Sequence, residues 1–136
     1  MQRRIALTLR DVGVVPVFMM QPMLILERGH KPMPEMEQRL FQFNVESYLP
    51  NYEQFIRRAV DMVHQRETAM ASELGAQFID LTGIYGGVKE QIYTDYVHLT
   101  PRGNELLARF VADKLVPVIR QDMAVACSAG AKGQGC

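Results

Sequence analysis

Two short apolar runs separated by a long helical stretch constrain the fold of this chain most strongly. Residues 14–20 form an apolar run of β-branched, aromatic and methionine side chains that is interrupted by Pro16, and residues 77–81 form a second run directly after a glycine and an alanine. Their length and composition are typical of strands that are buried on both faces. Strands that are joined through helices pair in parallel by a right-handed crossover. We therefore expect the two runs to be adjacent parallel strands.

Helical periodicity fills most of the remaining chain. The apolar positions recur at three- and four-residue steps from about Pro34 to residue 48, from Pro50 to Gly75, and from Thr100 to about Arg120. Thr100-Pro101 is a capping residue followed by a first-position proline, which favours a helix start at that point. Strands that alternate with helices predict an α/β fold in which helices flank a parallel sheet.

Two stretches are predicted to lie outside this framework. Residues 21–35 contain three prolines and a glycine among charged side chains, which predicts a long surface loop that serves as a lid. Residues 121–136 end in a small, polar, glycine-rich stretch, which predicts a disordered tail after one domain over residues 1–120. Cys127 and Cys136 both lie in that tail, so they cannot staple the domain.

Composition narrows the class of partner. The chain of 136 residues carries 15 basic and 15 acidic side chains, and neither sign forms a long block. This balance argues against nucleic acid as a partner, since proteins that bind it present a basic patch. No apolar run approaches the roughly 20 residues that cross a bilayer, and no export signal is visible in this chain. We expect a soluble protein whose cellular location is left open.

The candidate chemistry lies just before the last helix, where Asp95 precedes His98 in a short loop. An acid at this spacing can bring its carboxylate to one imidazole nitrogen and leave the other nitrogen free as a general base. On spacing alone, a surface histidine that is hydrogen-bonded to a nearby acid is the commoner case. The pair predicts the orienting acid and the base of a hydrolytic triad only if its surroundings agree.

The surroundings resemble a known family. A predicted strand ends in Asp80-Leu81 and is followed by a loop, and the last predicted helix comes later in the chain. Between that loop and that helix lies the segment Tyr93-Thr94-Asp95-Tyr96-Val97-His98-Leu99-Thr100-Pro101-Arg102-Gly103-Asn104. This succession is similar to the last conserved block of SGNH (GDSL-type) hydrolases, and the likeness extends from about residue 14 to residue 119. It implies a three-layer α/β fold of which this chain is the C-terminal part. It also implies Ser-His-Asp hydrolysis of an ester, with Asp95 as orienting acid and His98 as base. The implied substrate is a small ester or an acylated carbohydrate or lipid, and no cofactor or metal is implied.

The earlier blocks of that family have no counterpart in the sequence. The Gly-Asp-Ser segment with the nucleophile, the glycine of the oxyanion hole and the Gly-x-Asn-Asp segment are missing, and we expect them to precede Met1. Ser47, Ser72 and Ser128 do not stand in a strand-to-helix turn that would expose and activate a hydroxyl. The chain alone is therefore expected to be inactive.

Two alternatives remain open from the residues, and a metal site is not expected. The chain could be a non-catalytic remnant or interaction module that associates with itself or another chain through an exposed sheet edge. It could also be an unrelated flavodoxin-like half-domain, although the glycine loop that would bind a phosphate is missing. His30, His64 and His98 could be grouped as metal ligands, but they lack the short spacing that zinc sites use.

Overall fold

The computed structural model describes residues 1–47 and 50–130 of the chain. Within these ranges it contains a mixed α/β fold with four α-helices, two strands and one short 3₁₀ helix. The elements in chain order are α1 (Gln2–Asp11), β1 (Val17–Met20), the 3₁₀ helix (Leu24–Leu26), α2 (Glu35–Ser47), α3 (Tyr52–Leu74), β2 (Gln77–Asp80) and α4 (Pro101–Gly130).

The two strands form a parallel pair, as the sequence predicted. Val17 lies opposite Gln77, and Met20 lies opposite Asp80. The pairing is extended by a hydrogen bond from the Leu81 amide to the Met20 carbonyl at 3.1 Å. The crossover between the strands runs through α2 and α3, and α3 packs against β2 and α1. The prediction of adjacent parallel strands is confirmed, and each strand is shorter than its apolar run.

The helix boundaries agree with the signals in the sequence. α3 ends at Leu74 because Gly75 adopts a left-handed conformation with φ of 68°, and the Ala76 amide then donates to the Ala71 carbonyl. α4 begins at Pro101, and the Thr100 hydroxyl accepts the Gly103 amide at 3.1 Å, as an N-cap residue does. The cap fixes where the last helix starts relative to the loop with Asp95 and His98.

The prediction that residues 21–35 form a surface loop is wrong for residues 24–27 and for Lys31, and nothing in the structure tests the lid. Leu24, Ile25 and Leu26 are buried and close a 3₁₀ turn that packs against α2 and α3. The charged side chains of Glu27 and Lys31 that follow are also buried. Prolines and glycine correctly indicated that the chain turns here, but three consecutive aliphatic residues bury enough apolar surface to draw the segment into the interior.

The prediction of a disordered tail from residue 121 also differs from the structure. α4 continues through Gly130, so residues 121–130 are helical. The alanines and the methionine within residues 121–130 favour helix, so the helix continues to the glycine at residue 130. Residues 131–136, with Cys136, lie outside the described residues.

The core lies closer to the loops than to the sheet. Leu24, Tyr85, Ile92 and Tyr93 are fully buried and form one cluster. β1 is only partly covered, and Met19 is 41% exposed. Burial on both faces of β1 was therefore a wrong expectation for the described part of the chain. None of the helices within residues 1–47 and 50–130 is both long and apolar enough to cross a membrane.

Candidate active site

The loop that carries Asp95 and His98 is closed by its own backbone hydrogen bonds. Tyr93 and Leu99 form an isolated antiparallel bridge. The Thr94 amide donates to the His98 carbonyl at 2.8 Å, and the Thr100 amide donates to the Ile92 carbonyl at 2.7 Å. We name residues 92–100 the dyad loop. Its closure holds the side chains of Asp95 and His98 on one short turn.

The Asp95 carboxylate organises the tip of the dyad loop. Its Oδ1 accepts the backbone amides of Val97 at 2.8 Å and His98 at 2.7 Å, and its Oδ2 lies 2.6 Å from His98 Nδ1. The two backbone hydrogen bonds, with that of the His98 imidazole, lower the pKa of Asp95 to about 2. The predicted contact between the two side chains is confirmed, and their catalytic role remains a prediction.

The contact fixes how the His98 imidazole is protonated. An ionised carboxylate can only accept hydrogen bonds, so the hydrogen in the 2.6 Å contact belongs to Nδ1 of His98. In the neutral imidazole, the other nitrogen, Nε2, then carries the free lone pair. The side chain is 76% exposed, so a reacting group can approach it. The pair therefore has the geometry of a general base held by an acid.

His98 lies on the wall of a groove at the carboxyl ends of β1 and β2. The groove has a volume of about 360 Å³, which falls in the range of small-molecule sites. Its apolar lining consists of Met19, Pro22, Leu81, Val97, Leu99 and Leu107. Its polar lining consists of Gln21, His98 and Asn104. None of these lining residues carries a fixed charge, so the groove suits a neutral group better than an ionic one.

Asn104 is a groove residue for which the sequence predicted no role. It is exposed, and it lines the same groove as His98. The signal that could have found it was the Thr100-Pro101 helix start, because this start places Asn104 on the first turn of α4, next to the loop.

None of the candidate serines is among the described residues that line the groove. Ser47 ends α2, Ser72 lies in α3 and Ser128 lies in α4. Among the described residues that line the groove there is no serine, threonine or cysteine. The structure therefore brings together an acid, a base and a groove, without a nucleophile from the described residues.

A glycine allows α4 to pack closely on the dyad loop. A Cβ atom at Gly103 would lie 2.9 Å from both Cγ2 and O of Ile92, and 3.1 Å from Cβ of Leu99. Contacts below about 3 Å are repulsive, so no side chain fits there without movement. Tyr85 adds a hydrogen bond from its hydroxyl to the Gly103 carbonyl at 3.0 Å.

A buried ion pair lies beneath the dyad loop, and the sequence analysis missed it. Lys31 Nζ and Glu37 Oε2 are 2.5 Å apart, and both side chains are 0% exposed. Glu37 Oε1 accepts the backbone amides of Ile92 at 2.6 Å and Tyr93 at 2.9 Å. Lys31 also donates to the Glu90 carbonyl at 2.9 Å. A glutamate in the first turn of a helix usually faces solvent, so nothing in the sequence signalled this role.

A second buried acid contacts the same loop. Glu27 Oε1 accepts the Tyr93 hydroxyl at 2.9 Å, while Glu27 Oε2 has no hydrogen-bond partner among the described residues. Burial raises the pKa of Glu27, and the hydrogen bond from Tyr93 acts in the opposite direction. Burial also raises the pKa of Tyr93, so its hydroxyl stays neutral and acts as the donor.

The structure does not bring the three histidines together. His64 Nε2 lies 3.4 Å from Asp80 Oδ2 and packs edge-on against Phe78, while His30 borders a separate cleft beside Arg57. In the described part of the chain, no group of three or more histidine, cysteine, aspartate or glutamate side chains is placed to hold a metal ion. The candidate site therefore consists of Asp95, His98 and the groove.

No family model, no curated protein and no solved structure matches this chain.

Proposed function

We propose that this chain supplies the base and the orienting acid of an SGNH-type ester hydrolase. In this proposal the chain is the C-terminal part of a three-layer α/β domain, and a serine and an oxyanion hole are contributed by another polypeptide segment. The observation that carries the proposal is the 2.6 Å contact between Asp95 and an exposed His98 on the wall of an uncharged groove. The segment from Tyr93 to Asn104, which resembles the last block of that family, supports it.

The contact between Asp95 and His98 supports the proton transfers that ester hydrolysis requires. Nε2 of His98 takes the proton of the serine hydroxyl as the serine oxygen attacks the ester carbonyl, and it then protonates the departing alcohol. Water repeats the sequence on the acyl-enzyme, which releases the acid and restores the serine. Asp95 stays ionised throughout because its pKa is about 2, and it stabilises the imidazolium that forms in each step.

The groove favours a neutral substrate. Its lining combines six apolar side chains with the amides of Gln21 and Asn104 and the imidazole of His98. No lysine or arginine is present in that lining to pair with a phosphate or a carboxylate. The substrate class that we propose is a small ester or an acyl group on a carbohydrate or lipid.

The test is to supply the nucleophile in trans. This chain is co-expressed with a fragment of an SGNH hydrolase that carries the Gly-Asp-Ser and Gly-x-Asn-Asp segments but ends before its own late strands. The complex should hydrolyse an aryl acetate, and neither part alone should do so. His98→Ala should abolish the gain, and Asp95→Asn should reduce kcat by up to about 10⁴-fold, since it favours the wrong tautomer.

Ser72→Ala is the matched control, because Ser72 is exposed on α3 and lies outside the groove. It should leave the rate of the complex unchanged. Failure of the two parts to associate would contradict the proposal. Association with a rate that does not depend on His98 would contradict it equally.

A second candidate function is an interaction module that binds through the sheet. The observation that favours it is the exposure of Val14, Val15 and Met19 along and before β1, on a strand with one edge unpaired among the described residues. If the wild-type chain and its Met19→Lys variant bind a partner equally well, this candidate is contradicted. If binding is lost and esterase activity never appears, it is preferred over the hydrolase.

A further inference from the structure

Two buried charged side chains under the dyad loop have no role in the chemistry proposed above. Glu37 and Lys31 contact neither the groove nor His98. A fully buried ion pair is weak grounds for stability, because the cost of removing both charges from water offsets much of their attraction. What the pair does touch is the backbone at the start of the dyad loop.

We propose that Glu37 is a positioning residue for the Asp95–His98 pair, and that it acts through the backbone amides of Ile92 and Tyr93. The catalytic meaning of this role rests on the proposed function, whereas the structural effect does not. Ile92 and Tyr93 are fully buried, so their amides need an acceptor within the protein. One oxygen of Glu37 accepts both amides, at 2.6 and 2.9 Å.

The two anchored residues control the closure of the loop. The carbonyl of Ile92 accepts the Thr100 amide, and Tyr93 forms the bridge with Leu99. The next residue, Thr94, donates its amide to the His98 carbonyl. A change in the position of the Ile92–Tyr93 peptide therefore passes directly to the backbone of His98.

The hydrogen bonds of Asp95 change with the position of that peptide, because they are formed within the same turn. Its Oδ1 binds the amides of Val97 and His98, so a loosened turn lengthens both contacts. A charged acceptor holds the loop more firmly than a neutral one, since hydrogen bonds to an ionised carboxylate are shorter and stronger. Lys31 supports the carboxylate from the other side and fixes the Glu90 carbonyl just before the loop.

The test uses the chain as it stands and needs no nucleophile. The double variant Lys31→Met with Glu37→Met replaces the buried pair with apolar side chains of similar length, a change that folded proteins often tolerate. The carboxyl carbon of Asp95 is titrated by NMR, and the tautomer of His98 is read from its two ring nitrogens. We expect the pKa of Asp95 to rise from about 2 by at least about one unit, which is a tenfold change in proton affinity, and the Nδ1–H tautomer to lose population.

Three further variants define the scale. Lys31→Met with Glu37→Gln keeps a neutral carbonyl acceptor for the two amides and should return both readouts most of the way to the wild-type values. Asp95→Asn gives the tautomer signal of a histidine without its acid. Glu35→Gln is the matched control, because Glu35 lies in the same helical turn but pairs with Arg39 at the surface, and it should change neither readout.

Each outcome decides the proposal. A folded Lys31→Met, Glu37→Met variant with an unchanged Asp95 pKa and an unchanged His98 tautomer would overturn it. Loss of the folded state in both double variants would also overturn it, since the pair would then hold the whole fold and not the loop. If the NMR changes occur as expected but no complex hydrolyses an ester, the proposed function fails and the positioning role stands.

Discussion

Replacement of Gly103 by alanine tests whether the packing of α4 on the dyad loop limits what the loop can do. The added Cβ would lie 2.9 Å from the side chain and the carbonyl oxygen of Ile92. The carbonyl is a backbone group that already accepts the Thr100 amide at 2.7 Å, so it cannot rotate away. Either α4 moves outward or the closure of the loop is stretched.

The size of the effect follows from two opposing contributions. Alanine is favoured over glycine in a helix by about 0.8–1.0 kcal/mol, and by less in the first turn, where Gly103 lies. Overpacking of a close contact costs about 1–3 kcal/mol. We expect the free energy of unfolding to fall by about 1–2 kcal/mol, which at an m-value of about 2 kcal/mol/M moves the urea midpoint down by about 0.5–1 M.

Urea unfolding followed by circular dichroism measures this change. Ala108→Gly is the control, because residue 108 is an exposed position on the same helix and reports the helix preference without a clash. Its loss is added to that of Gly103→Ala to give the steric cost alone. A steric cost near zero, obtained from that sum, would refute the close packing of α4 on the dyad loop.

Three further predictions concern the acids and the base. The purified chain alone should hydrolyse an aryl acetate no faster than its His98→Ala variant, because loss of a triad nucleophile costs on the order of 10⁶ in kcat. Glu27→Gln should gain stability over the wild type as the pH rises above about 4. Burial raises the pKa of Glu27 in the folded state. The stabilising contribution of Glu27 is therefore complete below the unfolded-state pKa of about 4.3, and it is lost as the pH rises through the folded-state pKa. Glutamine does not ionise, and its side-chain oxygen still accepts the Tyr93 hydroxyl. Lys31→Met should cost about 3–5 kcal/mol because it leaves the Glu37 carboxylate buried without its cation, and the further change Glu37→Gln, which keeps an acceptor for the Ile92 and Tyr93 amides, should recover most of that loss.

Each of these predictions has a contrary outcome that a simple assay can show. Suppose that the wild-type chain hydrolyses the ester clearly faster than His98→Ala and that a serine-directed phosphonate labels it. One of its own serines would then act as the nucleophile. A stability difference between the wild type and Glu27→Gln that does not change with pH would mean that folding does not raise the pKa of Glu27. A double variant no more stable than Lys31→Met would mean that the bonds of Lys31 to backbone carbonyls matter more than its charge.

Local signals in the sequence were enough for the elements and for the contact between Asp95 and His98. The αL glycine at residue 75, the Thr100-Pro101 cap and the apolar runs all act over a few residues. The Asp95–His98 contact is equally local, since both side chains lie on one turn. Features of this kind are set by backbone preferences and nearby hydrogen bonds, and a single sequence displays them directly.

Contacts between distant segments could not be predicted in the same way. Glu37 is far from Ile92 and Tyr93 in the sequence, and it reads as an ordinary acid in a first helical turn. The segment with Leu24 was assigned to the surface because its prolines outweighed its aliphatic residues. Burial depends on which segments meet in the folded chain, and neither composition nor periodicity within one segment contains that information.

The difference between local and distant contacts also affects how strongly the Asp95–His98 contact supports a catalytic role. A turn in which an aspartate accepts two backbone amides forms readily in many proteins, so the Asp95–His98 contact alone does not identify an enzyme. The buried acceptor beneath the loop is different, because Glu37 and Lys31 must both leave water to hold a turn that lies at the surface. Under the proposed function such support has a reason, because a base that must meet a reacting proton needs its position fixed to a fraction of an ångström. NMR on the chain alone therefore decides whether the buried pair positions Asp95 and His98, and turnover of an ester by the complex decides the hydrolase proposal.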